Sequence, residues 1–402
     1  MKKIYLLFIF LSVAATAQTV TVKGFLKDAV SNEAIISASI GVKNTAIGTI
    51  SNEEGNFQLT LPKNGEVVIS FIGYKSVVIP ANDFGSDVKI IALETDEQML
   101  EEVIISKIPI EKMLENLITT SMARFNKPIV LNTYYREFVK LNGKYSKFSD
   151  GLLDYHISGS TKKNKSDLVV KQSRTAQLFT EDELNDDEML EFDSFLNVQQ
   201  GITYNYDFAI LKTRLLDGNR YENYDLELKS KKDSSGKELF AINFEPKPDS
   251  GAIYKGSIVF DPETKLIYSI DIDLTPGGHN FKERNILIAR VTFMESTIKS
   301  AYKMAGNNYI LAYSSRFNKL RITMKKRKYD KTIESKSDII VTDLHVDDLS
   351  YNKKEVYKEK DLYARGNKYT DKFWLKNNSL VLTAAEQQII NDLEKASAAT
   401  PK

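Results

Sequence analysis

The residues able to do chemistry in this chain are few, and their spacing suits little chemistry. The three histidines lie far apart, in His156-Ile157-Ser158-Gly159, His279-Asn280-Phe281-Lys282 and His345-Val346-Asp347-Asp348. A zinc peptidase site wants a His and a Glu within one short stretch plus a distant third ligand, and none of these stretches supplies the pair. His345 with Asp347 and Asp348 is the best metal-like cluster, and its position at a strand end reads as a solvated turn. No serine stands in a nucleophile elbow, and no glycine-rich loop runs into a helix. Cysteine is absent, which removes thiolate metal sites, cysteine nucleophiles, disulfides and a lipoprotein anchor together.

Carboxylates are the remaining candidates. Glu181 to Asp193 holds eight acids in a stretch without glycine: Glu181, Asp182, Glu183, Asp186, Asp187, Glu188, Glu191 and Asp193. A calcium loop alternates its oxygen ligands and turns on a glycine, so this run reads as a solvated loop and helix start. Asp271 and Asp273 share one face of a strand and are the candidate catalytic carboxylate pair, although side chains two apart on a strand face usually just meet solvent. The basic run Lys325-Lys326-Arg327-Lys328 reads as a solvated strand or turn. We therefore assign no catalytic, cofactor or metal residue from the sequence.

The elements that would have to position any site begin with an export signal. Lys2 and Lys3 precede the apolar run Ile4 to Val13, and Ala15-Thr16-Ala17 has the small residues of a cleavage site, so the mature chain is expected to begin at Gln18. The apolar run is shorter than the ~20 residues of a spanning helix. Without Lys2 and Lys3, 53 basic residues face 54 acidic ones, a balance offering no long-range attraction to nucleic acid or anionic lipid. With 402 residues, 42% of them apolar, and 20 Tyr and 20 Phe, the chain has enough material for two or three domains and a sizeable core.

From Val20 to Ser106 short strands are punctuated by Gly24, Gly41, Gly48, Gly55, Gly65, Gly73 and Gly85, the rhythm of an all-β sandwich. Gly55-Asn56 follows Glu53-Glu54 and feeds the alternating Phe57-Gln58-Leu59, as a turn entering a strand should. The runs Val22-Lys23-Gly24-Phe25-Leu26-Lys27-Asp28, Ala38-Ser39-Ile40-Gly41-Val42, Gly48-Thr49-Ile50-Ser51-Asn52 and Val67-Val68-Ile69-Ser70-Phe71-Ile72-Gly73-Tyr74 resemble the carboxypeptidase regulatory-like domain. That module is found at the N-terminus of outer-membrane TonB-dependent receptors. The resemblance implies an Ig/prealbumin-like sandwich that acts as an accessory, not a catalyst, in an extracytoplasmic protein.

Leu100-Glu101-Glu102-Val103-Ile104-Ile105-Ser106 resembles the segment leading into a receptor plug, but the likeness ends there. A 22-stranded barrel takes roughly 220 residues in membrane strands alone, and loops and a plug would exceed the 296 residues after Ser106. The segment after Ser106 reads as a helix instead. Ile110, Met113, Leu114, Leu117, Ile118, Met122 and Phe125 share one face, Pro109 suits its first turn, and Lys127-Pro128 ends it.

From Asn132 to Val346 the pattern is nearly all β. Leu266, Tyr268, Ile270, Ile272 and Leu274 alternate against Ser269, Asp271 and Asp273, and Asp261-Pro262-Glu263-Thr264 turns this strand back on Ile253 to Phe260. Further strands are expected at Tyr134–Val139, Tyr145–Ile157, Tyr224–Leu228, Leu239–Phe244, Ile286–Ile298, Tyr309–Phe317 and Ser335–Val346. The hairpins resemble the curved sheets of periplasmic lipoprotein carriers. Charges on both faces, such as Asp225, Glu227 and Lys229 opposite Glu222, argue against a lipid-facing barrel.

The C-terminal tail carries Phe373-Trp374-Leu375 and then the capping box Thr383-Ala384-Ala385-Glu386, which opens a helix striped by Ile389, Ile390 and Leu393. Helix, Tyr135-Arg136-Glu137 strand and aromatic tail together resemble a family of secreted proteins known by its regulatory-like N-terminus. The expected organisation is a signal peptide (1–17), a β-sandwich (18–106), a linking helix (107–128), an antiparallel β domain (129–350) and a tail with a capped helix (351–402). Such a mainly β chain is expected to be a non-enzymatic envelope protein, periplasmic or outer-membrane associated, binding an apolar ligand or a protein partner and using no cofactor. The alternative is a secreted hydrolase whose carboxylates meet only in the fold.

Overall fold

The computed structural model describes residues 19–71, 73–95, 102–160, 163–177, 197–232, 237–275, 283–286, 289–324, 329–367 and 380–399. The leader, His279, the acidic run 181–193, the basic run 325–328 and Phe373-Trp374-Leu375 lie outside these residues.

The N-terminal module has seven strands: β1 (Thr19–Asp28), β2 (Ser39–Val42), β3 (Gly48–Ile50), β4 (Asn56–Pro62), β5 (Glu66–Ser70), β6 (Val77–Pro80) and β7 (Lys89–Leu93). One sheet runs β4-β1-β7 and the other β3-β2-β5-β6. The strands alternate as a half-buried sheet requires. Phe57, Leu59 and Leu61 of β4 and Val67 and Ile69 of β5 point inward to meet Val22, Leu26 and Ile40 in a core of the module's own. Gly55 has φ +78°, and a Cβ there would stand 2.5 Å from the Leu26 carbonyl, so the turn before β4 admits no side chain.

A two-residue strand, β8 (Glu102–Val103), leads to helix α1 (Ile110–Arg124), β9 (Ile129–Leu141), β10 (Lys144–Gly159) and β11 (Asn164–Gln177). Helix α2 (Val198–Tyr206) comes next, then β12 (Tyr224–Lys232), β13 (Glu238–Pro246), β14 (Tyr254–Phe260), β15 (Ile267–Leu274), β16 (Glu283–Ile286), β17 (Ala289–Ala305), β18 (Asn308–Met324), β19 (Tyr329–His345) and helix α3 (Ala384–Ala399). The strands from β8 onward form one 12-stranded sheet in the order β11-β10-β9-β19-β18-β17-β15-β14-β13-β12-β8, with β16 beside β17. The chain is mainly β, as its alternation predicts. Two expectations need correction: β11 is absent from the expected strands, and α2 interrupts what reads as nearly continuous β sequence.

Alternation gives this sheet two different faces. On β9, Leu131 and Tyr135 turn toward α1 and α2, while Tyr134 and Phe138 turn to the opposite side. The predicted face of α1 is the one buried, through Leu114, Leu117, Ile118 and Met122, although Pro109 caps the helix from outside rather than filling its first turn. Phe125, just past its end, stacks on Tyr206 at 3.9 Å and on Tyr309 at 4.7 Å between ring centres. The opposite face carries the N-terminal module and α3: Ile50 and Leu380 pack on Tyr134, Leu152 and Ile340, and Ile390 packs on Phe138 and Phe148. Strand β11 is the last of its sheet, and its outer edge is partly covered. Val169 bridges to Val356, and the Tyr357 N–H donates to the Leu168 carbonyl at 2.8 Å, which blunts an otherwise open row of backbone groups.

Candidate functional site

The module-bearing face of the sheet is built around a buried charge cluster. Arg136 projects from the centre of β9 into this face, donating from Nε to Asp338 at 2.6 Å and from Nη1 to Glu386 at 2.9 Å, with all three side chains less than a tenth exposed. Glu386 is also the capping-box residue of α3. Its Oε2 accepts the Thr383 N–H at 2.9 Å, while the Glu386 N–H donates to Thr383 Oγ1 at 3.0 Å. One carboxylate thus closes the helix end and receives the strand's arginine. Burial alone would raise the Asp338 carboxyl, but Arg136, Lys336 and a Ser315 hydrogen bond outweigh it and hold the group below the ordinary range. Beside this cluster Arg174 grips Asp150 with two nitrogens, and the Tyr134 hydroxyl donates to the same carboxylate at 3.0 Å.

The module docks over this surface through polar contacts. Lys336 pairs with Glu53, the Asn52 amide donates to the Val381 carbonyl at 3.1 Å, and the Ala384 N–H donates to Glu54 at 3.1 Å. From β17, Lys303 donates to the Ala46 carbonyl at 3.0 Å, and burial there lowers its ammonium to a pKa of about 8 despite Asp343. Two clefts remain open along the joint. The first, about 500 Å³, is lined by Asp28, Glu33, Ile35, Ile36, Ile50, Glu53, Phe71 and Tyr74 of the module and by Arg136, Lys299, Phe317, Lys336 and Asp338 of the sheet. The second, about 560 Å³, is more polar and is lined by Asn132, Asp154, His156, Lys171, Asp343 and His345, with Thr19, Ile47 and Thr60 of the module.

The second cleft brings together two histidines that are isolated in sequence. His156 on β10 and His345 on β19 both pair with Val130 on β9, and Asp154 and Asp343 both pair with Asn132 one step along. The Asn132 amide donates to Asp154 at 2.7 Å. The His156 ring stacks on Tyr351 at 3.8 Å, and burial lowers its pKa although Asp154 and Asp167 pull it upward. His345 at the end of β19 and Asp347 and Asp348 in the turn after it are exposed. Among the described residues, no three histidine or acidic side chains come together at metal-ligand spacing. Asp271 and Asp273 do not form a carboxylate pair: Lys299 stands 3.4 Å from the first, and Thr297 donates to the second at 2.7 Å.

Among the described residues, the centre of the helix-bearing face is filled. Phe125, Tyr206, Phe208, Tyr302 and Tyr309 stack into one aromatic block, so these rings fill the sheet's interior rather than lining a groove. Glu137, the next residue but one after Tyr135, is buried on this side. It accepts the Tyr135 hydroxyl at 2.6 Å and the Leu362 N–H at 3.1 Å, and burial raises its carboxyl to about 7 even though the Tyr135 hydrogen bond opposes the rise. Its partners are structural, tying the segment before Leu362 to the sheet, and it lines neither cleft.

Comparison with known proteins agrees with the sandwich. Residues 22–105 match the family model of the CarboxypepD_reg-like domain. A 97-residue stretch is 41% identical to the TonB-dependent receptor SusC of Bacteroides thetaiotaomicron, covering 24% of this chain and 9% of the receptor. The chain therefore spans less than a tenth of the curated relative it matches. Solved structures similar to the chain include a domain described as an outer membrane lipoprotein-sorting protein from Vibrio parahaemolyticus, at 11% identity and TM-score 0.26, covering 61% of this chain and 94% of that one. Another is the complex of MucB with MucA(peri), at 9% identity and TM-score 0.20, covering 58% and 97%. At these TM-scores neither likeness carries a functional argument. Among the described residues, no helix is long and apolar enough to cross a membrane.

Proposed function

We propose that this chain is an exported, non-enzymatic cell-envelope protein in which the CarboxypepD_reg-like module and the outer face of the large sheet together form a docking cleft for a protein partner. The observation that carries this reading is where open space lies. The centre of the helix face is packed with aromatic rings, whereas the joint between module and sheet holds a cleft of about 500 Å³ to which the module brings Ile35, Ile36, Ile50 and Phe71 together with the acids Asp28, Glu33 and Glu53, and the sheet brings Arg136, Lys299, Lys336 and Asp338. Apolar residues interleaved with charges of both signs suit a chain segment that presents hydrophobic side chains flanked by charge. Glu137, whose carboxyl burial raises, lines neither cleft and is not placed to act on a docked partner.

A photo-crosslinker placed at Ile36, which lines the cleft and is 45% exposed, should give a discrete adduct in envelope fractions that excess unlabelled protein competes away. The same group at the exposed Lys112 of α1 should give none. Equal labelling at both positions would remove the cleft from the argument. A hydrolase remains the second reading because His156 and His345 share the polar cleft. Ester or peptide turnover by the purified protein, lost in H156A, would favour it over docking.

The module is also proposed to fold independently, since its core cluster is built wholly from its own residues and, Ile50 apart, its contacts with the sheet named above are polar. A fragment of residues 18–106 should give an all-β circular dichroism spectrum and a cooperative melt. A disordered spectrum would mean that the sheet is needed to complete the module.

A further inference from the structure

At one end of the helix face, in a segment that shares no cavity lining with the module, the backbone takes an unusual path. After α2, residues Lys212–Leu216 form a π-helical turn, and Gly218 and Asn219 then adopt left-handed conformations with φ of 64° and 55° before the chain enters β12 at Tyr224. π-turns and left-handed non-glycine residues are disfavoured and concentrate at functional sites. Here Arg214 and Arg220 line a cavity of about 250 Å³ together with Tyr224, Ser250, Gly251, Ala252 and Tyr254. The facing loop is shaped in the same way, with Asp249 at φ 57° and Gly251 at φ 77°.

The electrostatics of this cavity are one-sided. No carboxylate lines it, and among the described residues neither arginine has an ion-pair partner. The Arg214 guanidinium lies 4.4 Å from the centre of the Tyr254 ring, and its Nε is buried without a hydrogen-bond acceptor. Arg220 donates from Nη1 to the Thr213 carbonyl, and among the described residues its other donors have no partner. Burial raises the Tyr224 hydroxyl while both arginines draw it down, so both guanidinium groups act on the same ring. An unmet buried N–H on a charged group is destabilising, and two guanidinium groups lining one cavity repel one another. Each cost is relieved by the same thing, an anion with several acceptor oxygens.

We propose that the cavity lined by Arg214, Arg220, Tyr224 and Tyr254 binds a phosphate group. Planar guanidinium forks match the oxygens of a phosphate, and the cavity has room for the group and the first atoms of whatever bears it. That bearer is a soluble phosphate compound or a lipid headgroup, two sources with the same recognition chemistry. The site shares no lining residue with either module cleft, so it stands or falls separately from the docking function.

The test titrates the mature protein calorimetrically with inorganic phosphate against chloride at matched ionic strength. In parallel, it is co-sedimented with phosphatidylcholine vesicles lacking or containing phosphatidylglycerol. Saturable phosphate binding is expected, weakened at least about tenfold in R214Q and in R220Q, as loss of a charge-assisted hydrogen bond implies. R214K, which keeps the charge but not the fork, should also bind more weakly. Arginine-dependent sedimentation with the anionic vesicles would identify a headgroup; phosphate binding without it would identify a soluble ligand. Absence of saturable binding to phosphate and to anionic vesicles, or binding unchanged in both glutamine variants, overturns the proposal. Because Arg220 is exposed, R220Q decides the matter even if R214Q fails to fold.

Discussion

Replacing Arg136 by methionine should lower the stability of the large sheet by about 3–5 kcal/mol, the usual cost of leaving a buried charge without its partner. Arg136 holds two carboxylates at once, Asp338 at 2.6 Å and Glu386 at 2.9 Å, and its loss would leave two buried acids facing each other across the space it occupied. The effect should extend to the C-terminal helix. Glu386 caps α3 through Thr383, and a carboxylate that must escape to solvent can no longer hold that geometry. Urea denaturation measures the first part, and faster hydrogen exchange across residues 384–399 measures the second. Removing the charges as well, in R136M/D338N/E386Q, should recover part of the loss, because neutral amides are cheaper to bury than orphaned carboxylates. A loss below about 1 kcal/mol in R136M, within the range of exposed ion pairs, would show that the cluster is solvated.

This cluster also marks how far the sequence could be read. Helix α1 was legible because seven apolar residues fall on one face, and α3 because its capping box is a local pattern of four residues. The module was legible from its glycines and its alternating strands. Strand β11 was not, since Leu168-Val169-Val170 is its only apolar run and most of its other residues are polar. Helix α2 is short and contains Gly201, whose missing side chain lets Ile339 approach; a Cβ there would stand 2.7 Å from Ile339 Cδ1. Arg136 stands in the sequence only as part of the Tyr135-Arg136-Glu137 strand; its partners lie 202 and 250 residues further on, and nothing local announces them. The same holds for His156 and His345, which share a cleft only because β9 stands between their strands. Arg214 and Arg220 had a nearer signal, the Gly218-Asn219 turn between them, although its left-handed backbone is apparent only in the fold.

Glu137 should make the protein less stable as pH rises from about 4.5 to 7, opposite to the behaviour of a carboxylate held by a salt bridge. Its folded-state pKa is raised to about 7 by burial, against an ordinary value of 4.5. Between those values the folded state keeps a proton that the unfolded chain has released, so each step up in pH favours unfolding. The full penalty is reached above pH 7, and a shift of this size corresponds to roughly 3 kcal/mol. His156 works in the other direction, because burial lowers its pKa and it therefore favours the folded state as pH rises through the ordinary histidine range. The paired Asp261, held at about 2 by Lys237 and backbone N–H groups against the pull of burial, responds mainly at lower pH. The Glu137 contribution is therefore best read as a difference between wild type and E137Q, which share every other group. The glutamine can still accept the Leu362 N–H and can donate to the Tyr135 oxygen, which keeps the segment before Leu362 attached. Denaturation midpoints of the two proteins should converge near pH 4.5 and separate toward pH 8, with E137Q the more stable there. Parallel pH profiles would mean that Glu137 is ionised throughout the range and that water reaches it.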